Sequence, residues 1–342
     1  MRILCQAGLL VVLMFGCASA THAQEVSDDK PLFMLVLGDS VTKGVWADTA
    51  LGTSNPDAYR QLARTQIQAG LLELLTGRRV NDISNSQKYA LIIDHYFDFI
   101  SRTELSALIG HQPYSIPTLV RQVMQRPVEV FSATMLAGCF QNSDLLFDKI
   151  EDFYRAHNDH ADPNLVFVNF NAMDFVFKST IEDFGSNVKR TFEKLAKRFP
   201  KTTIVVSPLV DIVTMMTTPY DMVAIPAHFG MPALRCADTY QKIGFDTAVG
   251  VSATTSAEDI LKKNVTLLAM QQLLDDEIGA IRDHVTSAAY EQFVGQVIRV
   301  DPMSPPGGRW SPYLAMDCIH PNIQGQALIG QNIWRALEEN YF

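Results

Sequence analysis

Five short runs of nearly continuous apolar character, rich in β-branched residues, recur along the chain at 32–37, 128–132, 165–170, 203–207 and 297–301. Runs of five or six residues with no polar alternation predict strands buried on both faces. Between them lie segments with helical spacing of apolar positions, at 61–75, 145–157, 181–199 and 261–285, and a last amphipathic run covers 323–337. Strands alternating with helices imply βαβ units and a parallel sheet covered on both sides, an α/β fold in three α/β/α layers. In such a sheet the chemistry belongs at the carboxyl ends of the strands, near a topological switch point. Two connections, 44–127 and 208–296, are too long to be structureless and predict helical insertions, natural candidates for substrate walls or a lid.

The amino terminus carries a different pattern. Met1-Arg2 supplies a positive start, residues 3–15 are almost wholly apolar, and Gly16-Cys17-Ala18-Ser19-Ala20-Thr21-His22-Ala23 closes the segment with small residues. This reads as a secretory signal over 1–23, with cleavage after Ala20 or Ala23, and implies export to the periplasm or the medium. Cys17 after Gly16 offers a lipoprotein-type alternative, although Phe15 suits that motif poorly. The run is shorter than the ~20 residues a transmembrane anchor needs. One domain is expected over 24–342. Removing the leader leaves Cys139, Cys236 and Cys318, enough for one disulfide and a spare thiol, and the pairing is open at this level.

Composition narrows the function classes. Hydrophobic residues are 47% and charged residues 19% of the chain, which is globular usage. With 28 Lys plus Arg against 37 Asp plus Glu, the formal net charge is −9, a balance that disfavours nucleic acid and anionic membrane surfaces as partners. There is no Gly-rich phosphate loop, no Cys-x-x-Cys and no His-Glu-x-x-His, so no cofactor or metal is called for. His157 and His160 have metal-like spacing but precede the third strand, at the wrong end of the sheet, and read as a solvated turn. Met215, Met216, Met222 and Met231 cluster in the second insertion, where thioethers can pack a core or line an acyl pocket.

Two blocks carry chemistry. The first strand runs into Gly38-Asp39-Ser40, placing a serine just beyond a buried parallel strand, where a nucleophile belongs. Gly38 permits a tight turn, and a helix starting after it would aim the Ser40 amide at a developing oxyanion. By itself the triplet is equally an ordinary strand-to-helix turn with Ser40 or Asp39 as N-cap. Far downstream, Asp317-Cys318-Ile319-His320-Pro321-Asn322 precedes the final amphipathic run. Pro321 suits the first helical position, which leaves His320 at the helix mouth. Asp317, three residues back, can accept from one imidazole nitrogen and leave the other free to take a serine proton.

Together these blocks resemble the SGNH/GDSL hydrolase family, whose signature pairs a Gly-Asp-Ser block near the amino terminus with an Asp-x-x-His-Pro block near the carboxyl terminus. The resemblance spans the mature chain and implies a flavodoxin-like five-stranded fold. It also implies a secreted esterase or lipase that hydrolyses a small-molecule or lipid ester through an acyl-enzyme, with Ser40, Asp317 and His320 as triad. Lipid-type or general acyl esters are favoured, with a carbohydrate O-acetylesterase or a non-catalytic binding protein of the same fold as alternatives. The family also implies two oxyanion donors besides the Ser40 amide, a glycine after the second strand and an asparagine after the third. The glycine candidate is Gly138. At the third strand the family's Gly-x-Asn-Asp is replaced by Asn171-Ala172-Met173-Asp174, which puts a thioether where the amide belongs, so the donor role passes to Asn171.

Overall fold

The computed structural model describes residues 30–45, 47–49, 98, 100–158, 160–217, 219, 221–226, 233–243, 249–250, 252 and 255–342. The leader, the expected helix at 61–75 and Met231 lie outside them. Each apolar run forms a strand: β1 Leu32–Gly38, β2 Val128–Thr134, β3 Leu165–Asn169 and β4 Thr203–Val206. A hairpin then intervenes, β5 Val223–Ile225 with β6 Leu234–Arg235, before β7 Val297–Arg299. The helices, in chain order, are α1 Ile116–Met124, α2 Ser143–Ala156, α3 Met173–Val176, α4 Ile181–Arg198 and α5 Ile212–Thr217. They continue with α6 Cys236–Ile243, α7 Ala257–Arg282, α8 Ala288–Glu291 and α9 Ile323–Asn340.

The sheet is five-stranded and parallel, ordered β2-β1-β3-β4-β7, as the α/β reading requires. Every residue of β1 is buried, because β1 has a strand on either side and helices on both faces. β2 is an edge strand, and its half-buried pattern tolerates Glu129. Alternate side chains sort the core into two layers. On one face Leu35, Leu37, Val166, Val168 and Ile204 meet α2, α4 and α7 through Phe147, Phe192 and Leu274. On the other, Met34, Val36, Phe167 and Val205 meet α1 and α9 through Ile116, Val120 and Ile333. Burial of this kind contributes roughly 1.5–3 kcal/mol per large aliphatic or aromatic side chain.

α4 starts at Thr180, whose hydroxyl accepts from Asp183 N, and its first turn holds Glu182 and Asp183 against the helix dipole. The final helix begins later than the position of Pro321 suggested. Asn322 is the cap, its side chain accepting from Gln324 N and Gly325 N, and Ile323 is the first helical residue. Pro321 instead pairs with Leu314 in an isolated antiparallel bridge. The Asn side-chain oxygen satisfies two orphan amides that a proline start leaves bare, so the cap moves two residues on.

At the amino ends of the strands, the His160 ring packs against Phe33, tilted at 60°, and its Nε2 lies 2.9 Å from Glu129 Oε1. It is part of an aromatic cluster rather than a solvated turn; His157 is exposed. Met215 and Met216 are buried in the core, whereas Met222 is 41% exposed. No helix among the described residues is long and apolar enough to cross a membrane.

Candidate active site

The register sets the stage. Gly38 pairs with Thr134 of β2 and with Asn169 of β3, so three strands end level and deliver their following loops to one rim. Ser40 is the second residue beyond β1, 6% exposed. A tight turn, not a helix, carries it: Lys43 N donates to Asp39 O, Gly44 N to Val41 O and Val45 N to Ser40 O. Gly38 is required by crowding, since a Cβ there would come within 2.1 Å of Thr42 Oγ1.

Asp39 organises that turn from within. Its Oδ1 accepts from Val41 N at 2.9 Å, and its Oδ2 accepts from Asn171 Nδ2 at 2.7 Å. Burial pushes the Asp39 carboxyl up to about 6, and Asn171, His320 and the two turn amides offset part of that rise. Asn169 Nδ2 donates to Thr42 Oγ1, which ties the same turn to the end of β3.

The second block arrives over α9. Asp317 Oδ2 lies 2.5 Å from His320 Nδ1, and its Oδ1 accepts from Ile319 N and His320 N. The carboxylate therefore fixes both the ring and the backbone that carries it. Burial opposes a charge on His320, but Asp317 and, beyond it, Asp39 outweigh burial and raise its pKa above the ordinary 6.5. Burial raises the Asp317 carboxyl in turn, and His320 more than offsets it, holding the group below the usual range.

Hydrogen bonds from Gln326 and Met316 draw the blocks together. Gln326 of α9 donates through Nε2 to Val41 O and accepts on Oε1 from Ala107 N, while Met316 N donates to Thr49 Oγ1. Ser40, Asp317 and His320 thus sit at one end of the sheet, and the charge of Asp39, next to Ser40, is felt at His320. Among the described residues Ser40 Oγ has no hydrogen-bond partner, His320 included.

The candidate oxyanion residues fare differently. The Gly138 N–H is donated to Met135 O at 3.2 Å, so a turn engages it. The residue must be glycine because a Cβ would meet Gly38 O at 2.5 Å. Asn171 takes a left-handed φ of 48°, and its amide, held by Asp39, has a second N–H to offer. Met173 is buried in the core. Asp174 accepts from Phe140 N and Gln141 N, which fastens the loop after β2 to the loop after β3. A shallow groove open to solvent lies at the ends of β3, β4 and β7 and is lined in part by Asn171, Leu209, Met303 and Ile329.

The disulfide joins Cys236 to Cys318, leaving Cys139 as a buried thiol. With its ends 82 positions apart, it stabilises by about 4.5 kcal/mol in the chain-entropy picture. Asp39 and Gln326 lie outside the site residues that the sequence points to. A signal existed for Gln326, which shares the buried face of α9 with Gly330, Ile333 and Leu337.

No family model matches the chain. No curated protein matches it either. Among solved structures, a chain from Parabacteroides merdae described as "a putative GDSL-like lipase" is similar over 91% of this chain and 97% of its own. The TM-score is 0.42 and the identity 11%. Likeness at that level carries no argument about chemistry, so the functional reading rests on the residues.

Asp39 gives that reading a pH signature. A general base must be neutral, so the acid limb of kcat/KM is expected above pH 6.5. Asp39→Asn removes one of the charges that favour the imidazolium and should move the limb downward, measured over pH 5–9 with about 0.3-unit steps. An unmoved limb would show that Asp39 does not act on His320.

Proposed function

We propose that this protein is an exported serine ester hydrolase of the SGNH/GDSL type. The observation that carries the reading is the Asp317–His320 pair, tied by Gln326 and Met316 to the segment bearing Ser40. In this reading His320 Nε2 removes the Ser40 proton as Oγ attacks the ester carbonyl, and Asp317 stabilises the imidazolium. The Ser40 amide and the second N–H of Asn171 face the tetrahedral oxyanion, with Gly138 shaping the wall by letting its loop approach β1. His320 then protonates the leaving alcohol, water replaces it, and the same steps in reverse release the acid. The groups named need no cofactor.

Lipid-type or general acyl esters are the proposed substrates, since Leu209, Val210, Met303 and Ile329 give the groove beside Asn171 an apolar side. Asn169, Asn171 and Asn332 give it a polar side that favours the second reading, an O-acetylesterase acting on carbohydrate. A fluorophosphonate probe tests the class: folded protein should label at Ser40 at neutral pH, and absence of labelling would leave only a binding protein of this fold. Relative turnover of p-nitrophenyl acetate, p-nitrophenyl octanoate and an acetylated sugar separates the two substrates.

A further inference from the structure

The Asp317–His320 turn contains a residue that the chemistry above does not use. Cys318 sits between the two, fully buried, with a left-handed φ of 66°. That conformation is unfavourable for a side chain bearing a Cβ and persists where the surroundings over-determine it. Here two contacts from one helix do so. Cys236, the first residue of α6, is disulfide-bonded to Cys318, and Tyr240, one helical turn later, donates from its hydroxyl to the Cys318 carbonyl at 2.9 Å. Cys236 and Tyr240 are both fully buried, so the hydroxyl has no water to turn to and the bond is worth more than an exposed one. The residue following Cys318 donates its N–H to Asp317 Oδ1, and so does the next, His320. A change of φ at Cys318 therefore swings the very amides that orient the carboxylate.

We propose that α6 is a brace for the catalytic turn, with Tyr240 and the Cys236–Cys318 disulfide as positioning residues, and that activity consequently depends on the oxidised state. This rests on the esterase reading of the same site. Two electrons from a dithiol such as dithiothreitol would undo it once the turn opens to admit the reagent: one thiolate attacks a sulfur and releases the first cysteine, the second thiol attacks the resulting mixed disulfide and releases the other, and the reagent closes its own ring.

Three variants test the brace, each checked for fold by circular dichroism and thermal melting. Tyr240→Phe keeps the disulfide, Cys318→Ala removes it, and Cys318→Gly removes it while tolerating the left-handed φ. With p-nitrophenyl acetate, Tyr240→Phe and Cys318→Ala should lower kcat about tenfold with little change in KM, since slight misplacement of the base is expensive. In both, the acid limb should fall toward 6.5 as Asp317 and His320 uncouple. Cys318→Gly should regain most of what Cys318→Ala loses. Wild-type kcat and limb in folded Tyr240→Phe and Cys318→Ala would overturn the proposal, as would Cys318→Gly being no better than Cys318→Ala. If oxidised wild type neither turns over nor labels with fluorophosphonate, the esterase reading fails instead. The brace is then read by NMR titration of the His320 ring, whose pKa should still drop in Tyr240→Phe, and an unchanged value would overturn it.

Discussion

Replacing Ser40 with alanine is expected to lower kcat for p-nitrophenyl acetate by about 10⁴-fold or more and to abolish the covalent fluorophosphonate adduct. Ser40 lies two residues beyond a fully buried strand, in a turn held from both sides by Asp39 and by Gln326, so its Cα is fixed whether or not the hydroxyl is present. Ser40 Oγ makes no hydrogen bond among the described residues, so its removal should leave the fold in place, with a change in stability within about 1 kcal/mol. The variant therefore separates chemistry from structure. Thermal melting establishes that it is folded, and the residual rate measures what the remaining amides accomplish alone. A folded Ser40→Ala protein retaining a tenth or more of wild-type kcat would mean that another group is the nucleophile.

Most of the sheet was legible in the chain because buried parallel strands leave a local trace, an unbroken apolar run. Each of the five runs became a strand, with ends shifted by at most two residues. The hairpin β5–β6 left no such trace: three residues against two cannot show a period. The catalytic candidates were legible for a related reason. Gly38-Asp39-Ser40 and Asp317 to His320 are short-range arrangements, each contained in one turn. What stayed hidden depends on parts of the chain far apart in sequence. Asn171 was read as a lone amide at a strand end, yet Asp39, 132 residues away, holds it. The sequence presents Gly138 as a candidate oxyanion donor, but the approach of its loop to Gly38 explains the glycine, and the turn to Met135 takes its N–H. Pro321 looked like a helix start because nothing in the sequence weighs it against Asn322, whose side chain caps two amides and donates to Pro312 O and Leu314 O. The partner of Cys318 was undecidable for the same reason, since only tertiary structure brings α6 to the turn.

Asp317→Asn should be nearly as damaging as loss of the nucleophile, with kcat down by about 10⁴-fold and KM little changed. Asp317 Oδ1 accepts from the Ile319 and His320 amides, and an asparagine oxygen can keep that duty. Its nitrogen then takes the place of Oδ2, facing His320 Nδ1 as a donor. The ring must answer as an acceptor at Nδ1, which moves its proton to Nε2, the atom that in the proposed reaction receives the Ser40 proton. The backbone of the turn survives while the base is held in the wrong tautomer. A second effect follows from charge. Asp317 is the larger of the two influences that raise His320, so without it the acid limb should fall well below its wild-type position, leaving Asp39 as the remaining carboxylate in play. Rate and limb are read from one pH series on a protein shown to be folded. A variant within tenfold of wild type at its optimum would remove Asp317 from the triad and leave its contact with His320 a purely structural one.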